Sequence, residues 1–395
     1  MTARAESPHL GAIGEQRPDV ALFDEVIGQP AAVALLMAAA RHPVHAYLFR
    51  GAAGFGTKAA ARAFAGALLC PHGGCARCAD CRRALAGTHP DFAMIERTGA
   101  SLGIDEARRL IALAQRRPVV AARQVLVVED LHLAIRSAPT LLKTIEEPPP
   151  STVFILMADD VPPELATIAS RCVEVLFPPI PVLVLEDWLR GQGVESDRAA
   201  AIAEGADGDL ERARLLAHDP SYLKRLALWR SVPSRLSGHG AEVVELVSEL
   251  VAAVDAALGP LRDQHAEELR KMTETEVRAS GASRRALQER QHREERRWRI
   301  AELRVGLGVL ARCYRDSLFR GIGVPVSPMP GTASSGQESA ETPGTQVTRR
   351  GLESALGSAQ RAISLITEAA AGLIRNPNET LFLESLLVEL GRCTR

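Results

Sequence analysis

HAYLFRGAAGFGTK, residues 45–58, is the stretch on which the fold turns. Its apolar run Tyr47-Leu48-Phe49 leads into Gly51, Gly54 and Gly56, and an Ala-rich helical segment follows from Ala59 to Leu69. Strand, glycine-rich turn and helix in that order aim backbone N–H groups into one concavity at a helix N-terminus, as in the phosphate-cradling loop G-x-x-x-x-G-K-[ST]. There the lysine neutralises the outer phosphates and the hydroxyl holds magnesium. Here Thr57 stands where the lysine belongs and Lys58 where the hydroxyl belongs. The scaffold of a nucleotide site is present with its two chemical residues exchanged, so ATP is not expected to be bound or hydrolysed by this chain. An ordinary strand-to-helix turn is the bland alternative.

Short apolar runs downstream continue the pattern. Phe92–Ile95, Gln124–Val128, Val153–Met157 and Cys172–Phe177 read as strands, with helical patterns at Ile104–Arg116 and Ser137–Ile145 between them. Apolar strands alternating with helices predict a parallel sheet buried on both faces. The run VLVVED ends on Glu129 and Asp130. An apolar strand that delivers two acids at its C-terminal edge is the arrangement in which one carboxylate positions magnesium and the next polarises the attacking water. The usual order is Asp then Glu; here it is reversed.

From Pro181 onward strand signals vanish. Val182–Arg190, Asp197–Glu204 and Asp209–Ala217 read as three short helices, and Tyr222–Leu258 as more helix. Arg262–Arg304 is densely charged, which predicts a solvated helical hairpin broken near Ser280-Gly281; Ala301–Phe319 regains an apolar face. Gly321–Gly351, rich in Pro, Ser, Gly and Thr, reads as a flexible loop before two last helices, Leu352–Arg375 and Glu379–Leu390. The expected organisation is a polar lead-in over 1–20, an α/β domain over 21–179 with an insert at 70–81, a helical lid over 180–220 and an all-α domain over 221–395.

Bulk properties narrow the function classes. Of 395 residues 46% are hydrophobic but only 4% aromatic, so the cores are aliphatic. A formal net charge of -1 gives no global basic field for nucleic acid. No apolar run of about 18 residues predicts a membrane span, and the first residues lack a signal-peptide pattern. A cytoplasmic address is expected, where clustered cysteines are metal ligands more often than disulfides. Cys70, Cys75, Cys78 and Cys81 form such a cluster, C-x4-C-x2-C-x2-C, able to close a tetrahedral shell around one structural zinc ion. Cys172, Cys313 and Cys393 stand apart and are expected to be plain buried residues. A rival reading makes the cysteine module and the arginines of 284–299 a nucleic-acid binder; the acids Glu289, Glu294 and Glu295 interleaved there argue for a solvated helix instead.

Several strings together resemble one family: HAYLFRGAAGFG, the four-cysteine insert after the first helix of the loop, GTHPDF at 87–92, IDEARRL at 104–110, LLKTIEEPPPSTVFIL at 141–156, and SRC at 170–172. This combination is similar to bacterial clamp-loader subunits of the AAA+ class, in particular the delta-prime family of DNA polymerase III. The likeness is strong over about residues 20–220 and loose afterwards, mainly through Arg375-Asn376-Pro377-Asn378. It implies a P-loop-NTPase-like α/β domain, a helical lid and a helical collar that joins a five-membered ring. The partners implied are ATP-hydrolysing siblings and a delta subunit, with the sliding clamp and primed DNA reached through the complex. In the family the arginine of SRC projects into a neighbour's ATP site, which makes Arg171 the residue expected to act in trans. The family's hydrolysing members also carry a lid arginine; here Glu211 falls at about its place, with Arg212 one residue on. No intrinsic activity is expected, an active ATPase of the same fold with Lys58 reaching the phosphates being the alternative.

Overall fold

The apolar runs pair into one five-stranded sheet in this computed structural model, which describes residues 18–95, 102–135, 137–236, 240–275, 281–321, 324, 326, 349–373 and 377–393. Most of the lead-in, nearly all of the loop expected over 321–351, Ser280 at the expected hairpin break, and Arg375-Asn376 lie outside the described residues. The strands are β1 (Ala46–Arg50), β2 (Phe92–Ile95), β3 (Gln124–Val128), β4 (Thr152–Ala158) and β5 (Val173–Leu176). They lie in the order β2-β3-β4-β1-β5, and every pairing is parallel.

Helices cover both faces because side chains alternate along each strand. Tyr47 and Phe49 of β1 face the helix α2 (Thr57–Leu69), where Tyr47 meets Phe64 edge-on at 4.8 Å. Leu48 of β1 and Leu126 and Val128 of β3 join the opposite core, with Leu110 of α4 (Ile104–Ala114) and Leu141 and Ile145 of α5 (Ala138–Glu146). Before the sheet comes α1 (Pro30–Ala39), started by a proline in its first turn. A helix the sequence reading missed, α3 (Ala79–Leu85), follows the cysteine insert, and a short α6 (Ala166–Ala169) precedes β5. Burial on both faces holds for β1, β3 and β4. It fails for β5, an edge strand in which only Val175 is buried.

After β5 the described elements are all helices: α7 (Val182–Gly191), α8 (Ser196–Ala206), α9 (Leu210–Ala217), α10 (Tyr222–Arg235), α11 (Gly240–Ala256), α12 (Gly259–Thr275), α13 (Gly281–Gly321), α14 (Arg349–Gly372) and α15 (Glu379–Cys393). The described chain divides into two compact units. The first runs to Leu185 and takes back Asp207–Glu211; the second holds Glu186–Ala206 and everything from Arg212 on. The second unit has its own aliphatic core, in which Trp229, Leu250, Leu307, Ile366 and Leu387 meet.

Two expectations change in this unit. The charged segment 262–304 is not simply solvated, because His265, Gln291, Trp298 and Glu302 are buried, and its second arm continues without a break through the apolar stretch as the 41-residue α13. Cys313 and Cys393, like Cys172 in the first unit, are half-buried rather than buried. No described helix is long and apolar enough to cross a membrane.

Candidate functional site

The glycine-rich loop leaves the C-terminal end of β1, the edge where ligands bind in parallel sheets. Gly51 is required by close approach: a Cβ there would lie 2.3 Å from the Phe177 carbonyl oxygen, which is backbone and cannot yield. Gly56 caps α2 at φ 92°, a left-handed conformation that suits glycine, and a Cβ there would meet nothing within 4 Å. The buried Gln29 side chain ties the loop down, its amide donating to the Phe55 carbonyl (3.0 Å) and the Pro178 carbonyl (2.7 Å). The chain therefore builds the cradle carefully.

What fills it is the chain's own charge. Lys58 Nζ lies 2.8 Å from Glu129 Oε2, pairing the displaced lysine with the acid that ends β3. A magnesium ion would need that same carboxylate edge and would meet an ammonium already there. Asp130 follows in the left-handed region at φ 51°, starting a short turn at Leu131–Leu133. Thr57 is buried, and its hydroxyl has no hydrogen-bond partner among the described residues. Most telling is Gly54, where an added Cβ would stand 2.0 Å from the Asp209 carboxylate. That carboxylate rests against the loop backbone, held by the turn in which Gly208 accepts from the Ile180 N–H at 3.1 Å. Neither the Lys58–Glu129 pair nor Asp209 was singled out from sequence; both are contacts between segments far apart in the chain.

Of the two lid candidates, Glu211 lies beside Asp209 in the first unit. Arg212 does not serve as a free lid arginine. It is buried in the second unit, donating to the Gly205 carbonyl (3.0 Å) and to Glu302 (2.7 Å) and stacking over Trp298. Arg225 shares Glu302 and pairs with Asp219, which completes a buried charge network.

Arg171 sits at the other end of the sheet. It follows α6 and precedes β5, whose Val173 pairs with Tyr47 near the start of β1. The glycine loop begins four residues beyond Tyr47, about 13 Å along the sheet at ~3.3 Å per residue. The guanidinium is exposed. Its Nε lies 2.7 Å from Glu146 Oε1 at the end of α5, and its Nη1 donates to the Thr167 carbonyl (2.7 Å) and the Ser170 hydroxyl (3.3 Å). Burial pushes the neighbouring Cys172 thiol up to about 12.

The four cysteines come together between α2 and α3, their sulfurs all within 4.8 Å of one another. Cys70 Sγ is 3.7 Å from Cys75 Sγ and 3.6 Å from Cys78 Sγ. A tetrahedral zinc with Zn–S bonds of ~2.3 Å sets sulfurs about 3.8 Å apart, so the donors fit that ion. Backbone N–H groups point at the sulfurs, His72 to Cys70 (3.3 Å) and Cys81 to Cys78 (3.4 Å). The Arg77 and Cys78 N–H groups hold the Cys75 thiol down to about 6, while burial pushes Cys78 and Cys81 up. His72 offers only its backbone to the cluster, in keeping with a shell of four sulfurs.

Residues 28–181 match the family model described as DNA polymerase III, delta subunit. The DNA polymerase III subunit delta' of Pseudomonas aeruginosa is 33% identical over 167 residues, 40% of this chain and 51% of that protein. Its counterpart in Bacillus subtilis is 29% identical over 179 residues, 44% of this chain and 54% of that protein. The DNA polymerase III subunit tau/gamma of Haemophilus influenzae is 36% identical over 135 residues, 33% of this chain and 20% of that protein. The chain spans about half the length of the delta' relatives it matches.

Proposed function

Because residues 28–181 match the family model described as DNA polymerase III, delta subunit, we propose that this protein is a clamp-loader subunit that does not hydrolyse ATP itself and lends Arg171 to a neighbouring subunit's ATP site. In this reading it is a fixed member of a hetero-pentameric ring, with a delta subunit and ATP-hydrolysing siblings, that places a sliding clamp on primed DNA. The lid over 180–220 and the collar over 221–395 belong to the same reading.

One observation carries it: the arginine and the glycine loop stand at opposite edges of the same sheet. Arg171 is about 13 Å removed along the strand direction from the loop of its own chain, so its charge is useful to a phosphate held by another molecule. An arginine supplied in trans stabilises the charge of the transferring phosphoryl group and is worth on the order of 10³ or more in rate in related systems. The chain's own loop supports the other half of the proposal. A carboxylate lies on Gly54, an ammonium stands against Glu129, and Thr57 has no positive charge to offer.

Cys70, Cys75, Cys78 and Cys81 would hold one zinc ion, whose part is to close the turn between α2 and α3. With all four donors supplied by the protein, no position is left for substrate.

The test is a loader reconstituted with the Arg171→Ala chain. Assembly should survive, since the side chain is exposed, and DNA-stimulated ATP turnover should fall steeply. Unchanged turnover in a fully assembled loader would remove the trans role.

A further inference from the structure

We propose that Glu146 is the positioning residue of Arg171. The inference rests on the reading of Arg171 as an arginine given to a neighbour. Glu146 closes α5 and Arg171 follows α6, so two different helices deliver the pair to one edge of the sheet. The carboxylate takes the Nε side of the guanidinium at 2.7 Å. On Nη1, the Thr167 carbonyl at 2.7 Å and the Ser170 hydroxyl at 3.3 Å take up the next donor. The Nη2 end has no partner among the described residues and is the part left to meet a phosphate.

An arginine on an exposed turn would otherwise sample many rotamers and would have to be ordered each time the ring closes. Three tethers at Nε and Nη1 hold the planar fork in advance with its outer end free, which is how a positioned cation contributes to a transition state. Glu146 is itself exposed and makes no ion pair besides this one among the described residues. The pair therefore has little to do with holding the domain together: exposed ion pairs contribute little to stability.

A double-mutant cycle in the reconstituted loader tests this. Glu146→Gln keeps the shape and removes the charge. It should lower kcat for ATP about tenfold, equivalent to about 1.4 kcal/mol, with KM for ATP unchanged and the melting temperature of the isolated chain unmoved. Added to Arg171→Ala it should do nothing further. In the isolated chain, the Arg171 Nε–H resonance should be sharp and slow to exchange, and should broaden in Glu146→Gln. Wild-type turnover in Glu146→Gln, alongside a loss in Arg171→Ala, overturns the positioning role and leaves the reading of Arg171 standing. A rise in turnover would make Glu146 a brake, and an equal loss on the Arg171→Ala background would put its effect elsewhere; each overturns the inference. If Arg171→Ala itself costs nothing, the reading beneath fails and the inference with it.

Discussion

Asp209 does what the exchanged Thr57 and Lys58 do not do alone. Losing the phosphate-binding lysine removes an attraction, whereas a carboxylate laid on Gly54 adds a repulsion where a phosphate would sit. Asp209→Asn should therefore unmask the loop amides. Calorimetric titration with tripolyphosphate should change from no signal to millimolar binding, about 4 kcal/mol; identical blank titrations for both chains would mean that Asp209 does not guard the loop. Lys58→Met should destabilise the chain by about 1–3 kcal/mol in urea unfolding, because it takes the ammonium away from a Glu129 side chain that is only 11% exposed; unchanged stability would mean that the pair contributes nothing. Single letters already point to an altered loop, since Thr57-Lys58 and Glu129-Asp130 invert a known order. They do not tell that Lys58 and Glu129 pair with each other. Lys58 reaches Glu129 only because α2 and the end of β3 share an edge of the sheet, and no local pattern encodes that.

Among the elements, those whose burial is uniform were the easiest to read. QVLVV at 124–128 is buried at every position, and a strand sandwiched between helices must be an unbroken apolar run. β5 was placed correctly but its environment was not, because an edge strand can carry Val173 and Leu176 exposed with no change in its letters. The same holds for α13: Glu302 and Trp298 sit among charged neighbours in the sequence, and only the fold assigns them to a buried network with Arg212 and Arg225. Gly306 offers a sharp test of that packing. Glycine inside a helix ordinarily costs about 0.5–1 kcal/mol relative to alanine, yet a Cβ here would lie 2.0 Å from the Trp229 ring. Gly306→Ala should destabilise the chain by about 1–3 kcal/mol in urea unfolding, and a more stable variant would contradict the packing described. At the cysteine turn, metal analysis should return one zinc per chain. Chelation or Cys81→Ser should lower the melting temperature and expose the turn after Leu69 to protease; a metal-free chain of unchanged stability would reject the zinc.

On the scale of the whole molecule, chemistry is divided between two edges of one sheet. The loop edge holds the Lys58–Glu129 pair and the Asp209 carboxylate at Gly54, which on the proposed reading close it to phosphate, while the opposite edge presents Arg171 paired with Glu146. The first half was legible in the order of letters around the glycines, the second only through the likeness of SRC to a family motif, since a lone arginine before a strand is ordinarily a solvated side chain. The account stands or falls on the first half, and the most direct measurement is steady-state ATP hydrolysis by the purified full-length chain with magnesium and no other subunit. No turnover above that of buffer is predicted, with or without primed DNA. Steady turnover that disappears in Lys58→Ala would mean that the loop works after all and that the chain is a motor rather than a fixed member of the ring.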